Sequence, residues 1–348
     1  MPISLTDSSS QLNERVVAFL WHQWSSIGVA GYARTGDDWI IDPEALLLAT
    51  TRFGRYDARL MDESIDWLVS YGRRINLQRL QNLHREWPGL ADTRVLAATS
   101  DVLGQQAVLR KWRIVAELAP VTIADPVETE SLFLSLDGKP AARFGPDEPI
   151  FGKYGLRRGP LEHRGMSQPP NPRIGGSLLF TLRSLFGVNA RAEIMAWLLT
   201  HDAGHPAAIA RSTGYFSKSI QQTLNEMEES GQIVSVRQGR EKLFRVRSQD
   251  WRFLVPASAN GPDPKPFPRW VDWMPLFAAI ARFADALAMP GLDERSESFQ
   301  GIQLREALDQ AMPALTRAGH AHQMQTTRDM GGAELIQSLL ADLEIILP

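Results

Sequence analysis

The chain has 348 residues, a formal net charge of −3, a pI near 6.2 and no cysteine. That length exceeds one typical domain and implies two or three. The lack of Cys excludes disulfides, thiolate metal ligands and Cys nucleophiles, and the near-neutral charge excludes the global basic field of a non-specific nucleic-acid coat, so any nucleic-acid affinity must be local.

Residues 1–120 read as a helical N-terminal domain, with apolar periodicity over 16–24, 43–51, 58–71 and 77–87. The N-terminus lacks a basic start followed by an apolar core, and no stretch reaches the roughly eighteen apolar residues of a membrane span, so a cytosolic protein without membrane contact is expected. Met61, Ile65, Leu68 and Gly72 repeat the spacing of Ile220, Leu224, Met227 and Gly231 later in the chain. The region is either a degenerate copy of that later unit or, since no two-strand pattern follows Arg74, ordinary helix packing. Arg73, Arg74 and Arg79 are expected as a charged helix end, with contact to a DNA backbone as the other reading. The Trp residues, among them Trp21, Trp24, Trp39, Trp67 and Trp87, are expected in the core.

Residues 121–176 form a loop-rich basic connector. Residues 132–136 and 141–144 flank Asp137 and Gly138 as a hairpin turn, although Pro140 weakens the second strand. The Gly- and Pro-rich stretch that follows carries Lys153, Arg157, Arg158, Arg164 and Arg173. It reads as a second phosphate-binding element, an arm gripping another subunit, or a solvated linker.

Residues 177–250 carry the most specific pattern. Residues 189–200 place Ala192, Ile194, Met195, Leu198 and Leu199 on one stripe, as a helix burying one face requires. A second helix opens near His205 and Pro206, and Ser212, Thr213 and Gly214 connect it to a third, starting at about Ser217. In the third helix Phe216, Ile220, Leu224 and Met227 stack on one face, and Ser217 is a candidate cap. Its polar face carries Lys218, Ser219, Gln221, Gln222 and Asn225, and Gln and Asn amides can pair with adenine edges. After Gly231, residues 233–237 and 242–247 alternate as two strands. Val234, Val236, Phe244 and Val246 are expected inward, leaving Arg237, Arg240, Lys242, Arg245 and Arg247 for phosphates. Helix, helix, Gly turn, helix and basic hairpin in unbroken order define a winged helix-turn-helix, which puts a helix into a DNA groove.

Over about residues 189–247 the chain resembles the bacterial winged-helix regulators that include the ArsR-like and MarR-like families. STGYFSKSIQQTLNEMEESGQI and QGREKLFRV carry that resemblance, as a recognition helix and a wing. It implies DNA-binding transcriptional control; thiolate metal sensing is ruled out by the missing Cys. The segment RIGGSLLFTLRSLFGVNARAEI is similar to the opening of small nucleotidyltransferases, but no Asp-x-Asp pair follows to hold Mg²⁺.

Residues 256–268 read as a Pro-rich connector within the helical C-terminal region, 251–348. There Leu276, Ile280, Phe283 and Leu287 form one stripe, Leu304, Leu308, Ala311 and Leu315 a second, and Leu335, Leu339, Leu343 and Ile346 a third. These helices bury their faces together or across a dimer, and a homodimer is expected because such regulators bind two-fold sites. His320 and His322 lack further ligands, and His201 and His205 flank a turn, so no metal and no cofactor is expected.

The expected fold is thus mainly α with a small β component: a central winged helix-turn-helix flanked by helical N- and C-terminal regions. The expected function is non-enzymatic: a transcriptional regulator binding double-stranded DNA through Ser217, Lys218, Ser219, Gln221, Gln222, Asn225, Arg237, Arg240 and Lys242. The alternative is a protein-interaction or scaffolding role for the same unit, favoured by Glu226, Glu228 and Glu229.

Overall fold

Short polar side chains cap several helix starts in this chain. Asp42, Asp57, Asn76, Asp92 and Asn189 each accept hydrogen bonds from backbone N–H groups of the first turn that follows, which would otherwise be unpaired. The computed structural model describes residues 5–31, 39–121, 129–142, 145–255 and 266–347. It is mainly helical with a small sheet component.

The elements in chain order are α1 (Leu5–Ser26), α2 (Pro43–Phe53), α3 (Ala58–Tyr71), α4 (Leu77–Glu86), α5 (Thr93–Gly104), α6 (Arg113–Ala116), β1 (Glu130–Ser131), α7 (Pro149–Gly152), β2 (Leu156–Arg157) and α8 (Leu178–Phe186). Then come α9 (Ala190–Leu198), α10 (Pro206–Thr213), α11 (Ser217–Glu229), β3 (Val234–Gln238), β4 (Glu241–Arg245), α12 (Trp273–Leu287), α13 (Glu297–Ala318) and α14 (Gly332–Ile346).

The N- and C-terminal helices, far apart in sequence, fill one core. Leu12, Leu20 and Trp24 of α1 and Leu46 and Phe53 of α2 pack in the same cluster as Leu276, Phe277 and Ile280 of α12 and Leu304, Leu308, Leu339 and Leu343 of α13 and α14. All three C-terminal stripes are therefore covered within the chain, so of the two arrangements expected for these helices they bury their faces together. Trp24 and Trp67 are fully buried and meet edge to face at 5.6 Å, as core packing predicts. A second cluster joins α8–α11 with Phe244 of β4 and Leu254. A third joins α3 and α5 with Leu132, Phe151 and Leu156.

The segment after Arg74 is the helix α4, with no hairpin, so ordinary helix packing describes this region. Arg79 is not part of an exposed helix end: it is 1% exposed. The basic connector lies along α3 and α5 with three of its five named cations answered by the chain's own acids, Arg157 and Arg173 staying exposed. Lys153 pairs with Asp101 at 3.1 Å, Arg158 with Asp62 at 2.7 Å and Arg164 with Glu63 at 3.2 Å. The expected hairpin is a tight turn with one antiparallel bridge, Leu134 to Pro140, while β1 pairs in parallel with β2. Residues 143–144, and most of the Pro-rich connector (256–265), lie outside the described residues.

Candidate nucleic-acid interface

Three helices and a hairpin build the site. α10 opens on His205, whose Nδ1 accepts from the Ala207 N–H at 3.2 Å, with Pro206 in the first turn where an N–H is dispensable. It ends on Gly214, whose φ of 73° L side chains resist. Space imposes the same choice, because a Cβ there would stand 2.5 Å from Leu83 Cδ2 of α4.

α11 buries Ile220, Leu224 and Met227. Ser217, Lys218, Ser219, Gln222 and Asn225 are exposed, and Gln221 is half-buried. The amides are held in pairs along the helix: Gln221 Nε2 donates to Asn225 Oδ1 and Gln222 Nε2 to Glu226 Oε1, each at 3.1 Å. Two expectations are corrected at the helix start. Ser217 is the first helical residue and not the cap, and Phe216, expected in the core, is 64% exposed. Phe216 precedes the helix with extended backbone (φ −69°, ψ 136°), so its spacing to Ile220 does not carry the helical stagger that would turn it inward.

The hairpin closes on Gly239 (φ 62°) and Arg240, with Gln238 opposite Glu241. Val236 lies opposite Leu243 and Ser235 opposite Phe244. Opposed residues share a face, so Val234 and Val236 lie on the face away from Phe244 and are half-buried, which corrects the expectation that all of them point inward. Phe244 is inside because its backbone pairs twice with Gly204, at 2.8 and 2.9 Å, which ties the hairpin to the α9–α10 connection.

The basic side chains divide into two groups. Arg237, Arg240, Arg245 and Arg247 are exposed and make no ion pair or side-chain hydrogen bond among the described residues. Lys242 instead folds onto α11, with Nζ 2.5 Å from Glu228 Oε2 and 4.7 Å from the Phe244 ring centroid. Hydrogen bonds from Lys242 and then Ser235 hold the Glu228 carboxyl below its usual range. Glu226 is likewise paired, with Arg191. Lys242 is therefore a hairpin anchor, while the four arginines keep unanswered charge.

Beneath this surface lies a group of ions with no counterpart among the expected site residues. Arg183 of α8 donates to Glu44 at 2.8 and 2.7 Å and to Glu193 at 3.0 and 2.6 Å, and Arg79 of α4 donates to Glu44 at 2.6 Å and to Asp42. Arg79 Nε also donates to the Thr213 carbonyl at 2.6 Å, closing the end of α10. Asn76 Nδ2 donates to the Tyr215 hydroxyl at 2.7 Å. Two guanidiniums thus face three carboxylates, and Glu193 Oε2 has no hydrogen-bond partner. Burial pushes the Glu193 carboxyl up against the opposing pull of Arg183 and Arg79. For Asp42, burial is outweighed by Arg79, which holds it below its ordinary value. The only sequence trace of this group is charge inside apolar stripes, as at Arg183 in LLFTLRSLF and Glu193 in ARAEIMAWL.

Among the described residues no group of three or more His, Asp or Glu is placed to hold a metal ion, and no helix is long and apolar enough to cross a membrane. His201 stacks on Trp197 with ring centroids 3.8 Å apart, and His205 is a helix cap. The sequence matches no known protein family, and no curated protein and no solved structure matches it significantly.

Proposed function

We propose that the chain is a sequence-specific DNA-binding transcriptional regulator in which residues 189–247 act as a winged helix-turn-helix. The observation that carries this reading is the charge distribution: the exposed face of α11 and the hairpin bear Lys218, Arg237, Arg240, Arg245 and Arg247, whereas two of the three acids that would favour a protein-binding surface, Glu226 and Glu228, are neutralised by Arg191 and Lys242. That leaves Glu229 at the far end of α11 and Glu241 on the hairpin as the exposed acids against five cations. In this reading α11 lies in the major groove. Lys218 and Ser219 approach the groove edge, and Gln222 and Asn225 exchange their helix-internal partners for base edges, an exchange of one hydrogen bond for another. Arg237 and Arg240 at the hairpin tip meet phosphates or the minor groove. The protein acts by binding.

The test is duplex-DNA binding followed by fluorescence anisotropy across a salt series. Replacing Arg237 and Arg240 together by Ala should weaken binding to every sequence and lower the slope of log K against log salt by about two units, one per phosphate released. An unchanged slope removes the hairpin from the interface.

A further inference from the structure

We infer that the DNA surface does not end at α11 but continues across α4 to the segment 105–112, giving a second phosphate-binding strip on the N-terminal region; this rests on the DNA-binding reading above.

The placement of α4 carries the argument. Leu83 packs against Gly214 and Arg79 reaches the Thr213 carbonyl, so positions 79 and 83 face the α10–α11 turn. Gln81 Nε2 donates to the Ile114 carbonyl at 3.1 Å, so position 81 faces the opposite neighbour, α6. Gln78, Asn82 and Arg85, spaced four and three apart, form the stripe between these two contacts; Gln78 and Arg85 are exposed and Asn82 is half-buried. Gln78 Nε2 donates to Asn82 Oδ1 at 3.2 Å, the same amide pairing seen along α11. Beyond α4, a cleft of about 400 Å³ has Arg73 and Lys111 among its lining residues, with Ile75, Leu77 and Trp112.

The charge on this strip is available. Arg73, Arg85, Arg110 and Lys111 are exposed and make no ion pair or side-chain hydrogen bond among the described residues. The adjacent acid, Glu86, is paired with Arg317 at 3.0 Å. A surface with unanswered cations, solvent-facing amides and no unpaired acid on α4 fits a polyanion, and its continuity with the start of α11 fits the same duplex. Crossing α4 adds about two interhelical spacings, roughly 20 Å, or about six base pairs at 3.4 Å each.

The experiment compares the full chain with a triple variant, Arg85→Gln, Arg110→Gln and Lys111→Gln, on one selected duplex. Anisotropy over a salt series and hydroxyl-radical footprinting are read together, with thermal melting alongside. The expected result is a slope lower by about three units and protection shortened at one end by about six base pairs, with an unchanged melting temperature because no fold contact is removed. Lys111→Gln alone should lower the slope by about one unit and serves if the triple variant melts early. An unchanged slope and footprint while Arg237→Ala and Arg240→Ala still weaken binding would overturn the strip and leave the winged-helix reading standing. Absence of duplex binding by the intact chain would overturn both.

Discussion

Glu193 is the residue with the most unusual surroundings: it sits fully buried on α9 with one oxygen held by Arg183 and the other unpartnered, among Arg79, Glu44 and the Tyr215 ring. Its raised carboxyl holds a proton in the folded chain over a range of pH where the unfolded chain, near the ordinary value of 4.5, has released it. The folded state then binds more protons than the unfolded one, so this stabilisation is complete below the ordinary value and is lost as pH rises through the raised one. Glu193→Gln keeps an acceptor for Arg183 and removes the titration. Melting temperatures measured from pH 5 to pH 8 should fall less steeply with rising pH in the variant than in the parent, and parallel curves would remove Glu193 as the titrating group. None of this was readable in the sequence, because a charged residue inside an apolar stripe looks the same whether it reaches solvent or, like Arg183, meets a carboxylate 139 residues away.

At the level of elements, the helices were legible and their faces less so. Residues 189–229 resolve into three helices because each boundary is marked locally: Asn189 as a cap, His205 and Pro206 at a start, and Gly214 at an end. The hairpin was legible as a hairpin but not in its orientation, since alternation within a strand says which residues share a face and not which face is covered; the Gly204 pairing decides that. Phe216 was misread for a related reason, as a residue one position outside the helix does not follow its stagger. The buried and exposed sides of α11 yield a paired test. Leu224→Ala should destabilise the fold by about 2 to 5 kcal/mol by leaving a cavity. Gln222→Ala should leave the melting temperature intact and cost about 1 to 3 kcal/mol on the preferred duplex with little effect on random DNA. Equal losses on both duplexes would assign selectivity to DNA shape instead of base contacts by this helix.

For the whole molecule, the shared core of the first and last helices has a direct experimental consequence. A chain stopped after residue 255 would strip α12, α13 and α14 from α1 and α2, exposing Leu12, Leu20 and Leu46, which are now fully covered. Such a truncation should lose its cooperative melting transition and aggregate, as judged by circular dichroism and light scattering; a soluble truncation with a sharp transition would show that the N-terminal helices close their own core. The periodic stripes predicted each of these helices, but nothing in one stripe names the other stripe it meets. That pairing spans more than two hundred residues, and it is the part of the architecture a reading along the chain does not supply.

The buried ions also bear on how such a chain can be recombined. Glu44 is shared by a guanidinium on α4 and another on α8, so the unit over 177–250 and the N-terminal helices hold halves of one electrostatic joint. Lifted out alone, residues 177–250 would carry Arg183 and Glu193 on a bare surface, and the N-terminal part left behind would keep Asp42, Glu44 and Arg79 with one guanidinium fewer. That segment is therefore not an interchangeable cassette. A chimera that exchanges residues 177–250 must carry positions 42, 44 and 79 along as a matched set.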